Sequence, residues 1–284
     1  MDRLRFSPLV CLLVCSSCVA LEDRPWTGRF IEPVSAGTTF ESPVIDSNLE
    51  AHVVHQEFPD DSIFGGGGFN LYALQARFAV TEDLAVIATK DGYIDLNPDV
   101  GTDESGLADI GGGVKYSAYK NADSGVIITP GIIFETKSGD LDVFQGNGDG
   151  IIRPFVSAGW DMGKTNLLGS FGFNAPIDDD AESTSFDYHL HLSHEISPNL
   201  FPLIELNGIT YVSDGNALAV NFEGGDLINL GAADVTGNTV IWGALGGAYR
   251  IDDRWQLGLV YEFPLTSRED LLDNRIWASI LWRF

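Results

Sequence analysis

The chain has 284 residues, 44% of them hydrophobic, enough for one large folded domain or two ordinary ones. Its 16 Lys and Arg face 41 Asp and Glu, a formal charge of −25 that excludes nucleic acid as a natural partner, since phosphate binding needs the opposite sign. The 32 glycines, with few helix-favouring runs, point to strands and turns.

Residues 1–20 read as a secretory signal peptide. Asp2, Arg3 and Arg5 open a short charged region, Phe6 to Val14 is apolar, and Cys18-Val19-Ala20 offers small residues for cleavage after Ala20. The apolar run is too short to cross a bilayer as a helix. A lipoprotein acylated on Cys18 is the other reading, weakened by Cys15 where a lipobox wants Leu. Cys11, Cys15 and Cys18 are the three cysteines, so a chain cleaved after Ala20 has no disulfide, thiolate metal site or cysteine nucleophile. It also has 14 basic residues against 40 acidic ones, once Arg3, Arg5 and Asp2 are gone. Residues 21–46 do not alternate and contain Pro25, Pro33 and Pro43. They are expected to be irregular, either in the periplasm or folded into a barrel lumen as a partial plug; the sequence leaves both open.

From residue 47 to residue 284 no stretch is apolar for long enough to make a membrane-spanning helix. Runs of about ten to thirteen residues alternate instead with period two, and a tilted membrane strand needs about 9–11. They are expected near 48–58, 68–80, 84–95, 107–119, 125–137, 151–162, 165–175, 184–196, 200–212, 239–250, 254–265 and 275–284. In the second, Tyr72, Leu74, Ala76, Phe78 and Val80 oppose Gln75 and Arg77. In the eighth, Phe186, Tyr188, Leu190 and Leu192 oppose Asp187, His189, His191 and Ser193. In the last, Ile276, Ala278, Ile280, Trp282 and Phe284 oppose Arg275, Ser279 and Arg283.

Alternation alone would equally suit a soluble barrel, so connection lengths decide. Links after even-numbered strands are short, such as Thr81-Glu82-Asp83, Gly163-Lys164 and Asp252-Asp253. Links after odd-numbered strands are long and acidic, including Pro59 to Gly67, Asn97 to Gly106, Ser138 to Gly150, Pro176 to Ser183 and Ser213 to Asn238. Short turns on one rim and long loops on the other is the outer-membrane pattern. Trp160, Trp255 and Trp282 fall near short-turn ends, where aromatic rings sit at a membrane interface. The fold class expected is therefore all-β, a transmembrane antiparallel up-and-down barrel of about twelve strands in the bacterial outer membrane. A last strand ending on Phe284 resembles the signal read by the barrel assembly machinery.

Ser105-Gly106-Leu107-Ala108-Asp109, followed by the strand Gly113-Val114-Lys115-Tyr116, resembles a motif of the outer-membrane transporters named after the meta-pathway of phenol degradation. Lys137-Ser138-Gly139-Asp140 resembles that family's next loop, although Ala108 replaces the usual Gly and the usual Pro-Thr-Gly is missing. The resemblance implies a barrel admitting small aromatic or apolar molecules, a porin-like passive channel.

Lumen and selectivity candidates are Arg77, Lys115, Glu135, Arg153, His189, His191, Glu205, Glu262 and Arg283, with Asp109 and Arg275 on the same inward faces. Such charges either satisfy one another in a narrow lumen or select solutes at a constriction. The apolar link from Ser213 to Asn238 is expected to fold inward or across the rim, with Phe222, Glu223 and Asp226 as pore-loop candidates. His189 and His191 share a face, which keeps a metal or hydrolase reading open, but there is no third ligand and no Gly-x-Ser-x-Gly. The expectation is no enzyme, no cofactor and no metal. Lipid and small solutes are the expected partners, and the competing reading is a sealed structural or adhesive barrel acting through its acidic loops.

Overall fold

The computed structural model describes residues 26–284; the signal peptide read at residues 1–20 lies outside them. Twelve antiparallel strands make one closed barrel. They are β1 Asn48–Glu57, β2 Gly67–Ala79, β3 Leu84–Lys90 continued by Tyr93–Pro98, and β4 in three pieces, Glu104–Leu107, Gly111–Tyr116 and Tyr119–Asn121. Then follow β5 Val126–Glu135, β6 Ile151–Asp161, β7 Thr165–Pro176, β8 Thr184–His194, β9 Leu200–Ser213, β10 Thr239–Arg250, β11 Trp255–Pro264 and β12 Asn274–Arg283. Each strand pairs with its sequence neighbours, and β1 pairs with β12 from Asn48↔Arg283 to Glu57↔Asn274. Closure leaves no edge of unpaired backbone groups, which hydrocarbon would not tolerate.

The alternation sorts side chains as the period dictates. On β9, Leu200, Pro202, Ile204 and Leu206 point outward while Phe201, Leu203, Glu205 and Asn207 are buried inside. Val53, Leu74, Ile132, Val156, Leu190, Leu245, Leu259 and Ile280 extend the same exposed apolar belt around the wall. At the rim of short turns, Trp255 stacks on Trp282 at 5.9 Å and Trp282 lies 5.2 Å from Phe284, an aromatic girdle at the interface level.

The expected third and fourth strands are extended and broken. Gly92, at φ +134°, lets β3 restart after Asp91 and run on to Pro98, so the expected link from Asn97 to Gly106 shrinks to residues 99–103. A Cβ at Gly92 would sit 2.7 Å from Leu71 and 2.8 Å from the Tyr72 carbonyl oxygen, which no side chain could accept.

Residues 26–46 have no regular structure and lie inside the barrel. Phe30, Ala36, Phe40 and Val44 pack with Ile127, Leu168 and Trp242 of the wall, while Ile31 and Val34 join a second cluster with Val54, Val260 and Trp277. This apolar contact is what a segment so rich in Phe, Ile and Val would lose by remaining in water.

Candidate functional site

The interior is a shell of inward charges wrapped around the N-terminal segment. From β2, Arg77 pairs with Glu41 at 2.8 Å and with Glu50 at 3.3 Å. From β4, Lys115 reaches the same Glu41 at 2.7 Å and donates to the Ser42 carbonyl. Arg283 of β12 holds Glu32 at 2.9 Å and Asp46 at 3.0 Å. Arg153 of β6 pairs with Asp187 of β8 and donates to the Thr39 carbonyl at 2.6 Å. Glu205 of β9 accepts the backbone N–H groups of Val34 at 2.9 Å and Ser35 at 2.8 Å. Buried charges are tolerable only when paired and hydrogen-bonded, and here the segment supplies much of the pairing.

Uncharged side chains complete the grip. Asn166 accepts the Ile31 N–H, Gln256 bonds both backbone groups of Glu32, Thr129 donates to the Pro43 carbonyl, and Ser157 to that of Glu41. No β-ladder joins residues 26–46 to the wall. The attachment is through side chains, distributed over β1, β2, β4, β5, β6, β7, β9, β10, β11 and β12, with Asn48 on Asp46 and Arg250 on the Phe30 carbonyl among them.

The two histidines sit within this network. His189 bonds Asn207 at 2.8 Å and Asp187 at 3.1 Å, with Phe40 stacked on its ring at 5.1 Å. His191 bonds Glu205 at 2.6 Å. Among the described residues no three His, Cys, Asp or Glu side chains are grouped to hold a metal ion. Glu262 accepts from Trp242 Nε1 at 2.8 Å and pairs with Arg275. Glu135 lies apart from the segment, half-buried, and pairs with Lys90 at 2.5 Å.

The long link after β9 folds inward and touches the segment. Arg275 holds the Asp226 carboxylate at 2.8 Å, and the Asp226 carbonyl accepts the Thr38 hydroxyl at 2.9 Å. Glu223 organises the link itself, accepting the Ser183 hydroxyl and the N–H groups of Leu230 and Ala232. Burial pushes the Glu223 carboxyl upward, against the pull of those hydrogen bonds. Phe222 is half-buried against the apolar cluster that includes Leu227, Ile228 and Leu230. Neighbouring loops join this cap, with Gln145 donating to the Leu227 carbonyl and Asn147 to that of Asn229.

Between segment and cap lies a cavity of about 60 Å³, lined by Thr38, Thr39, Lys90, Glu135, Arg153 and Asp226 among others. It has room for a few waters only. Nη1 of Arg153 has no hydrogen-bond partner among the described residues. The structure thus brings Arg77, Lys115, Arg153, His189, His191, Glu205, Glu262 and Arg283 into one buried interior. It adds Glu32, Glu41, Asp46 and Thr38, whose segment has no period that would assign them a face from sequence.

No protein-family model matches the chain, and no curated protein matches it in sequence. Solved structures match in fold. An outer membrane channel from Pseudomonas putida F1 is similar over 90% of this chain and 100% of its own, at 12% identity and a TM-score of 0.57. The NanC porin is similar over 84% of this chain and 100% of its own, at 9% identity and a TM-score of 0.54. Closed twelve-strand architecture, apolar outer belt and aromatic rim together define an outer-membrane β-barrel, located in the bacterial outer membrane.

Proposed function

We propose that the chain is a channel for passive passage of small aromatic or apolar solutes across the outer membrane, closed at rest by residues 26–46 and by the link carrying Phe222, Glu223 and Asp226. The motif around Gly113-Val114-Lys115-Tyr116, similar to that of the meta-pathway transporters, supports the solute class. The observation that carries the reading is the mode of attachment. The segment is bound by side chains and not by a β-ladder, so it can leave without breaking the wall. Its departure would expose a ring of Arg77, Lys115, Arg153, Glu205 and Arg283 that water can solvate. A permanently sealed barrel has less need of a polar interior, since apolar side chains of similar volume would fill it at least as stably.

Planar-bilayer recordings test this. The full chain is expected to show small, infrequent steps, and a variant lacking residues 26–45 larger and longer ones. If both are silent, while gel mobility before and after heating shows them folded, the sealed structural barrel is the correct reading. Assembly through the strand that ends at Phe284 belongs to the same proposal, and removing Phe284 should lower the yield of folded barrel in the membrane.

A further inference from the structure

A bulge in β3 turns a cation into the barrel interior. Ala85 and Ile87 of this strand face inward, so strict period two would turn Lys90 towards lipid. The pairing with β4 runs from Ala88↔Gly112 directly to Lys90↔Gly111, which leaves Thr89 as an extra residue. Thr89 and Lys90 therefore both lie on the inner side. Thr89 is 1% exposed, and the Lys90 ammonium pairs with the inward Glu135 at 2.5 Å. Bulges re-aim side chains in this way and are common beside functional sites.

Both residues line the cavity of about 60 Å³ between segment and cap, and so does Arg153, which is 4% exposed. Nε and Nη2 of Arg153 hold Asp187, and Nη2 also donates to the Thr39 carbonyl of the segment. Nη1 is left over, and like the Thr89 hydroxyl it has no hydrogen-bond partner among the described residues. The Lys90 ammonium carries three N–H groups, and Glu135 is its one partner among those residues. The carboxylates of the lining are already answered. Lys90 holds Glu135, Arg275 holds Asp226, and Glu223 accepts the Ser183 hydroxyl and two backbone N–H groups. Donors remain unused in this cavity, and what it lacks is an acceptor.

We infer that this cavity is a binding site for a small monocarboxylate of acetate size, held by Arg153, Thr89 and Lys90, whose occupancy keeps the segment docked. A carboxylate brings two acceptor oxygens and a charge, and hydrogen bonds between ionised groups are about twice as strong as neutral ones. Size is equally restrictive, since a cavity that admits benzene measures about 150 Å³. An aromatic ring is therefore excluded. An occupant no larger than a few waters fits, with Ile133, Ile151 and Ile209 of the lining to receive its methyl group. Thr38 and Thr39 of the segment share the lining with Asp226 and Leu227 of the cap, so the site is complete only while the segment is docked. A ligand that binds only that form stabilises it. Binding is independent of the channel reading, and only an effect on conductance rests on it.

Binding of isotope-labelled acetate and of its neutral analogue acetamide to the full chain in lipid nanodiscs, read by NMR line broadening, tests the site. Acetate should bind about tenfold more tightly than acetamide, and benzoate should not compete with it. Thr89→Val removes an unpaired hydroxyl at nearly constant shape, so it should fold normally and bind acetate severalfold more weakly. Arg153→Lys keeps a cation for Asp187 but gives up Nη1, and should abolish binding. Ser193→Ala deletes a buried, unpaired hydroxyl away from the cavity and should change nothing. Acetate at about ten times its dissociation constant should slow amide exchange across residues 30–45 about elevenfold, and the variant lacking residues 26–45 should not bind it. A cavity that takes water alone, equal binding of acetate and acetamide, equal affinity in Thr89→Val and Ser193→Ala, or binding that survives the deletion would overturn the site. Discrete conductance alongside any of those results leaves the channel reading standing. Silent bilayers, with acetate bound and the segment protected, uphold the site and remove the channel reading instead.

Discussion

Glu41 is the residue on which the closed interior depends most. Its carboxylate faces both Arg77 and Lys115, and burial that would oppose its charge is offset by those two cations. Removing one partner of a buried ion pair typically costs about 3–5 kcal/mol, because the other charge is left unpaired. Water re-enters as the segment leaves, so we expect the lower end for Glu41→Gln. About 3 kcal/mol corresponds to roughly a hundredfold in the docking equilibrium. Amide hydrogen exchange across residues 30–45 should accelerate by that order, while the strands keep their protection. Unaltered exchange would mean that the apolar contacts of Phe30, Ile31 and Val34 hold the segment unaided. Half of this arrangement is legible in the sequence. Period-two parity places Arg77, Lys115, Arg153 and Arg283 on inward faces without any coordinates. It says nothing of Glu32, Glu41 or Asp46, whose neighbours Phe30, Ile31, Val34, Phe40 and Val44 were the available signal, being too apolar for a segment left in water.

At the scale of elements, the strands were legible and the connections less so. Ten of the twelve strands begin and end within a few residues of the alternating runs, because lipid on one side and a polar interior on the other enforce the period. β3 and β4 depart where Asp91-Gly92 and the Gly111-Gly112-Gly113 run remove the side chains that would report a face. The loops fold by side-chain contacts specific to this chain, which no periodicity encodes. Their titration is correspondingly unusual. Burial, reinforced by Glu135, Asp109 and Asp178 and opposed by Lys90, raises the Glu182 carboxyl to about 8. Burial raises Asp270 to about 6, against the pull of Arg268. Both carboxyls retain a proton in the packed loops that they would release in open ones, where the ordinary values are near 4.5 and 3.8. Packing is therefore favoured at low pH, and weakens as pH rises from the ordinary values towards 6 for Asp270 and 8 for Glu182. Exchange protection of residues 177–183 and 214–238, corrected for intrinsic rate, should fall between pH 5 and pH 8.5 on this account. Glu182→Gln should flatten most of the response above pH 6. A wild-type chain with constant protection across that range would show that the loops do not couple to these protons.

Across the whole molecule, charge is divided between two environments with different consequences for ions. Interior charges are paired with the segment and with one another, as Arg77 and Lys115 with Glu41, and Arg283 with Glu32 and Asp46, so they present little net field while the segment is docked. The uncompensated part of the −25 lies largely in exposed loop carboxylates such as Asp60, Asp99, Asp142 and Asp179. Surface charges act through solvent and are screened within about 10 Å at 0.1 M salt and about 3 Å at 1 M. The full chain should therefore favour potassium over chloride at 0.1 M and lose most of that preference at 1 M, read as the reversal potential under a salt gradient. Arg153→Ala and Glu205→Ala should shift it little in the full chain and clearly in the variant lacking residues 26–45, where those side chains line open water. A preference that survives 1 M salt in the full chain, and that moves with Arg153→Ala, would place the selective constriction at the interior ring and require the segment to be displaced in the conducting state.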